Sequence, residues 1–142
     1  MSLSQAPVQA PETSKVFTLP IYWQQSKKKK VLVGMNVYRN WHYYTSAAFK
    51  REFSEIVLGE LGDFEPILGE YSLEIKVFYK NSSCDASNIV ALIEKVFLDA
   101  LVTAGALKGD SVKHHKSTSW TVVEKDAENP RCEITIKEYK LC

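Results

Sequence analysis

Residues 84–112, CDASNIVALIEKVFLDALVTAGALKGDSV, are the stretch whose reading decides the fold. Apolar periodicity, a start signal and a stop signal coincide here. Asp85 and Ser87 are both candidate N-caps, because a short oxygen-bearing side chain can accept from the free N–H groups of a first helical turn. Gly105 closes the run as a C′ glycine would, since glycine adopts a left-handed backbone at no steric cost. At about 100° per residue, Asn88, Lys95, Asp99 and Thr103 share one sector with Leu92. Ile89, Ile93, Val96, Phe97, Leu98, Ala100 and Leu101 fill most of the remaining circle. A helix so apolar is buried on most sides. Its polar stripe of amide, ammonium and carboxylate then calls for a reason beyond packing.

Working outward, residues 71–80, YSLEIKVFYK, alternate well: Tyr71, Leu73, Ile75, Val77 and Tyr79 point one way and Ser72, Glu74, Lys76 and Lys80 the other with Phe78, as in a strand with one buried face. After the helix, residues 111–116 and 117–123 read as one or two strands. Residues 132–139, CEITIKEY, read as a closing strand set off by the turn residues DAENP. Upstream, Ser46 starts a second helix on which Phe49, Phe53, Val57 and Leu61 recur every four residues, and Gly62 ends it. Residues 16–21, VFTLPI, form a first strand that Pro20 ends or forces to an edge. Residues 1–14 are rich in Pro, Ser and Gln without periodicity and read as a disordered tail. That leaves a single domain over 15–142. The order predicts an α+β fold with a mixed or antiparallel sheet and two main helices.

A chain of 142 residues, 45% hydrophobic and 25% charged, is long enough for one sizeable core and has the balance of a soluble globular protein. No apolar run approaches the roughly 20 residues that span a bilayer, and no signal-peptide layout opens the chain, so a membrane partner is not expected and a cytoplasmic location is. Cys84, Cys132 and Cys142 are too few and too scattered for a disulfide framework, which favours a reducing compartment. The net charge of +1 conceals a segregation. From Lys27 to Arg51 there are seven basic residues and no acidic one; from Glu52 to Glu74 there are seven acidic residues and no basic one. Such a chain can turn a basic face to a polyanion while its net charge stays near zero.

Inside the basic half, Asn36, Tyr38, Arg39, Trp41, His42, Tyr43 and Tyr44 interleave amides, aromatics and cations. Aromatic faces stack on bases while Lys and Arg neutralise phosphates, so Lys27, Lys28, Lys29, Lys30, Asn36, Tyr38, Arg39, His42, Lys50 and Arg51 are candidate DNA contacts. The competing reading is a strand and turn that pack these aromatics into the core, with the four lysines as a solvated loop. No Gly-rich phosphate loop, Gly-x-Ser-x-Gly elbow or His-Glu-x-x-His pair is present. His114 and His115, being adjacent, fall on opposite sides of any strand, and at least one is expected at the surface beside Lys113 and Lys116. The remaining chemistry lies with Asp85 before the helix and Asp110 after it. Carboxylates of this kind either cap and turn the chain or hold a hard divalent cation.

At these positions the sequence resembles the RusA family of Holliday-junction resolvases, small endonucleases of phages and prophages. Asp85 matches the family's first aspartate, Asn88 its asparagine and Lys95 its lysine. Asp99, Ala100 and Leu101 match an Asp-Ala-Leu step, Gly105 a glycine, and Asp110 the second member of an Asp-Asp pair. The likeness spans roughly residues 16–139 and includes the Asn-, Tyr- and Arg-rich segment from Asn36. Ser87 stands where the family has a second metal aspartate, Gly109 replaces the first member of the pair, and Asn88 and Lys95 are four residues further apart than usual.

The resemblance implies a RusA-like fold and a magnesium-dependent, structure-selective endonuclease for branched DNA, with manganese as a possible substitute and no organic cofactor. It further implies a homodimer in a bacterial or phage-infected cell. In that reading Asp85 and Asp110 hold the metal with Asp99 in reserve, Lys95 steadies phosphate charge, and Asn88 supports the site. The alternative is a branched-DNA-binding protein that keeps the fold but does not cut. Reach bears on the ligand set: a helix over 88–104 is about 24 Å long, and the few residues to Asp110 retrace at most about 20 Å, which would put Asp110 near Lys95 and Asp99, while a helix that starts later lets Asp110 join Asp85 as the resemblance implies.

Overall fold

The computed structural model describes residues 9–141, with side chains from 14 to 139. Residues 1–8 of the expected tail, and Cys142, lie outside the described residues. Residues 9–14, also read as tail, instead open the first strand, β1 (Gln9–Pro20). It pairs antiparallel with the last strand, β6 (Arg131–Leu141), from Gln9↔Leu141 to Pro20↔Arg131. Backbone groups make that pairing, and a hydropathy pattern does not register them. Pro20 ends the strand as its missing N–H requires.

A hairpin follows, β2 (Tyr22–Ser26) and β3 (Lys29–Leu32), turning at Lys27 and Lys28. Then come a short helix α1 (Met35–Arg39), a long helix α2 (Tyr43–Gly59), strand β4 (Glu70–Tyr79), helix α3 (Ala86–Thr103) and strand β5 (His115–Lys125). The four-stranded sheet has the order β1-β6-β4-β5. β6 pairs antiparallel with both β1 and β4, while β5 pairs parallel with β4, so the sheet is mixed and the fold is α+β. A parallel neighbour needs a crossover, and α3 supplies it.

The core lies between the inner face of the sheet and the two long helices. Phe17 and Leu19 of β1, Tyr71, Leu73, Ile75 and Val77 of β4, and Cys132, Ile134 and Ile136 of β6 present one buried face. Nine residues of α3 are buried, Leu92 of the nominally polar sector among them. Phe97 meets Phe17 edge-on at 5.1 Å. α2 buries Phe49, Phe53 and Val57 as their spacing requires, but it begins at Tyr43, three residues before the expected Ser46. His42 is its N-cap, accepting from the Tyr44 N–H at 3.3 Å. α2 ends at Gly59, and Gly62 follows in a turn with φ +55°. Gly105 takes φ +80° after α3, the left-handed conformation expected of a C′ glycine. Among the described residues no helix is long and apolar enough to cross a membrane.

Candidate functional site

The aromatic and basic segment is packed in part and exposed in part. Tyr38 and Trp41 pack with Trp23 and Phe49, with ring centroids 5.1–6.2 Å apart, at the edge of the core. Tyr43 and Tyr44 remain 74% and 75% exposed, and the His42 ring stacks on Tyr44 at 5.3 Å. Lys27 to Lys30 are all exposed at the hairpin, as are Asn36, Arg39, Lys50 and Arg51. The Trp23 indole N–H donates to Glu52 Oε1 at 3.0 Å, which fixes the hairpin to α2 and commits the first acidic residue of the chain's acidic half. A basic hairpin, α1 and the exposed aromatic start of α2 thus follow one another along a continuous stretch.

At the start of α3, Asp85 acts as N-cap, and its Oδ1 accepts from the Asn88 N–H at 3.3 Å and from Ser87 Oγ at 3.1 Å. The Asn88 amide oxygen in turn accepts from the Asn36 N–H at 2.9 Å. That bond satisfies a free donor in the first turn of α1, whose own N-cap, Gly34, has no side chain to offer. A Cβ on Gly34 would come within 2.7 Å of Asn88 Nδ2, so glycine at this position makes room for the asparagine. Asn88 thus joins α1 to α3. Beside it opens a cavity of about 420 Å³ between β3, α1 and α3, lined by Asp85, Asn88, Lys29 and apolar side chains.

Lys95 lies elsewhere. It is exposed and pairs with Asp99 at 3.7 Å, about 15 Å along the helix from Asp85. Asp99 shares a cleft with Lys50 and Ser54 where α2 and α3 meet. Asp110 is at a third place. Tyr71 Oη donates to the Gly109 carbonyl at 3.0 Å, which sets Asp110 beside the start of β4, whereas Asp85 follows the end of β4. Burial, with the charges of Asp110 and Glu94 behind it, pushes the Tyr71 phenol well above its ordinary range. Glu94 is itself about 13 Å along α3 from Asp85.

The expected metal pair is therefore not brought together. Two magnesium ligands share an ion only when both oxygens lie within about 2 Å of it, and the β4-α3-β5 crossover returns Asp110 to the opposite end of the sheet from Asp85. Asp99, the reserve ligand, stands apart from both. Among the described residues no group of three His, Cys, Asp or Glu side chains is arranged to hold a metal ion.

What the sequence did not disclose is a cluster around Tyr71. His115 stacks on the Tyr71 ring at 5.3 Å with 6° between planes, and its Nε2 lies 2.6 Å from Thr118 Oγ1. Thr118 donates to Glu94 Oε2, and His115 Nε2 is 3.8 Å from the same oxygen. Since the Thr118 proton goes to Glu94, the hydroxyl accepts from His115, which fixes the Nε2–H form of the ring. Glu94 and Thr118 are 24 residues apart, so no local spacing announces the contact. His114 and His115 are both partly buried, against the expectation of a surface position, and His114 Nδ1 is buried without a hydrogen-bond partner among the described residues.

The sequence matches no protein-family model and no curated protein. Fold and site together define an α+β chain with a mixed four-stranded sheet, a basic aromatic hairpin-and-helix surface, and dispersed carboxylates.

Proposed function

We propose that this chain is a DNA-binding protein of RusA-like type that recognises branched DNA. One observation carries the reading: every basic side chain from Lys27 to Arg51 is exposed, on consecutive elements that also expose His42, Tyr43 and Tyr44, and no acidic residue interrupts them. Cations there neutralise phosphates, and the exposed rings offer stacking faces to bases. Branched DNA, rather than any polyanion, comes from the RusA resemblance. Electrophoretic mobility shifts with a four-way junction test it. Affinity is expected to fall steeply with salt, and replacing Lys27 to Lys30 together by alanine is expected to weaken binding and flatten the salt slope. No binding at low salt, or an unchanged quadruple variant, overturns the reading.

Hydrolysis is a second reading, and it rests on the RusA resemblance. Asp110 lies beside the start of β4, apart from Asp85, and there it would be the carboxylate that holds a magnesium ion, which would supply a more acidic bound water and positive charge at the leaving oxygen. Paired nicks in a mobile junction with magnesium or manganese, lost in Asp110→Asn and kept in Asp85→Asn, are the expected result. Intact junction with both ions leaves binding alone.

A further inference from the structure

The cavity between β3 and the starts of α1 and α3 has the chemistry of a base site. Its walls are Val31, Leu32, Val37 and Ile89, which offer a flat ring system apolar contact and no competing hydrogen bonds. Its polar side chains are Asp85, Asn88 and Lys29. Asp85 is exposed and has committed Oδ1 to Ser87 and Asn88, which leaves Oδ2 as an acceptor without a donor among the described residues. Asn88, which also lines the cavity, has committed its oxygen to Asn36, so its amide NH2 group, seated against Gly34, is left as a donor. An acceptor beside a donor, at the edge of an apolar slot, complements the Watson–Crick edge of a nucleobase. At the rim stands Lys29, on the hairpin whose neighbouring lysines are also exposed, where the phosphate of the same nucleotide would lie.

A base inside a duplex has that edge occupied by its partner and its faces covered by stacking, so only an unpaired base can enter. We propose that this cavity takes one unpaired nucleobase at a DNA branch point, with Asp85 and Asn88 on its edge and the Lys27 to Lys30 hairpin on its phosphate. The proposal rests on the DNA-binding reading and adds what that reading lacks, a means of telling branched from continuous duplex. It also gives Asp85 and Asn88 a shared task that neither a lone helix cap nor a divided metal pair provides.

The test is fluorescence anisotropy without divalent ions, on a matched duplex, the same duplex with a single-nucleotide bulge, and that bulge made abasic. The bulged duplex is expected to bind about tenfold more tightly than the matched one, and removing the base is expected to abolish the gain. Asp85→Ser keeps an N-cap oxygen and should fold. Removing a negative charge raises general DNA affinity, so a loss of bulge preference in this variant runs against the electrostatic trend. Val37→Trp, which fills the cavity from a partly exposed position, is expected to lose the preference with the salt slope retained. Equal affinity for base-containing and abasic bulges overturns the proposal while leaving the DNA-binding reading standing. Absence of binding to all three DNAs at low salt overturns both.

Discussion

Asn88 serves two helices at once, and that dual duty is measurable. Asn88→Ala removes the acceptor for the Asn36 N–H and should destabilise the fold by about 1 kcal/mol, the ordinary value of a lost cap. Gly34→Ala should also destabilise, because its Cβ would press on Asn88 Nδ2 at 2.7 Å. With Asn88 already alanine that contact is gone, so the second substitution should become nearly neutral. Urea denaturation of the two single variants and the double variant reads this coupling, and simple additivity would contradict it. A second residue-scale prediction concerns alkali. Burial pushes the Cys132 thiol from its ordinary value of 9.0 up to about 12, and Tyr71 is raised as well. The unfolded chain releases the thiol proton near pH 9 and the folded chain only near 12, so over that window the unfolded state binds fewer protons and stability falls as pH rises. Urea midpoints from pH 8 to 11 should decline, less steeply in Cys132→Ala; a flat profile rules the effect out. At this scale the sequence reveals residue types better than their partners. Asp85 is legible as a cap, but the target of Asn88, on a helix 52 positions away, is not.

Elements with a strong period and clear ends were legible in outline. α3 spans the interval between Asp85 and Gly105, and β4 buries the face its alternation marks. β5 was read less sharply because nearly all of it is exposed, so no alternation is impressed on it. The parallel pairing of β5 with β4 was not legible at all, and it decided the fate of the expected metal pair. Periodicity defines a helix and a strand but not which end of the sheet the chain returns to. The tie between α3 and β5 is Thr118, which stands between Glu94 and His115. Thr118→Val keeps the shape and leaves two partly buried polar groups without their bridge, at an expected cost of about 1–3 kcal/mol. The check is a lowered urea midpoint with an unchanged slope; an unaltered midpoint would mean that solvent replaces the bridge at no cost.

Over the whole molecule, the two halves of opposite charge and the two edges of the sheet set what the chain can meet. The basic half forms the hairpin, α1 and the first turns of α2, and the DNA-binding reading rests on it. The sheet edges differ. β1 carries Pro11 and Pro20 and breaks its register between Pro11 and Thr13, features that discourage a further strand. β5 has no proline, its register is regular from Ser117 to Val122, and the residues from Ser117 to Val123 carry no charge. Trp120, Val122 and Val123 on it are 44%, 44% and 43% exposed. An edge strand of this kind presents unpaired backbone donors and acceptors beside apolar side chains, and a second copy of the same edge meets both needs in antiparallel pairing. The homodimer implied by the resemblance is therefore expected to form through β5, building one sheet across two chains. Sedimentation equilibrium should show a mass that rises toward twice the monomer value with concentration. Val122→Lys, which places a charge on the partly exposed edge strand, should hold the chain as a monomer with its fold intact by circular dichroism. A monomer at all concentrations would remove the dimer, while a dimer unaffected by Val122→Lys would move its interface off β5.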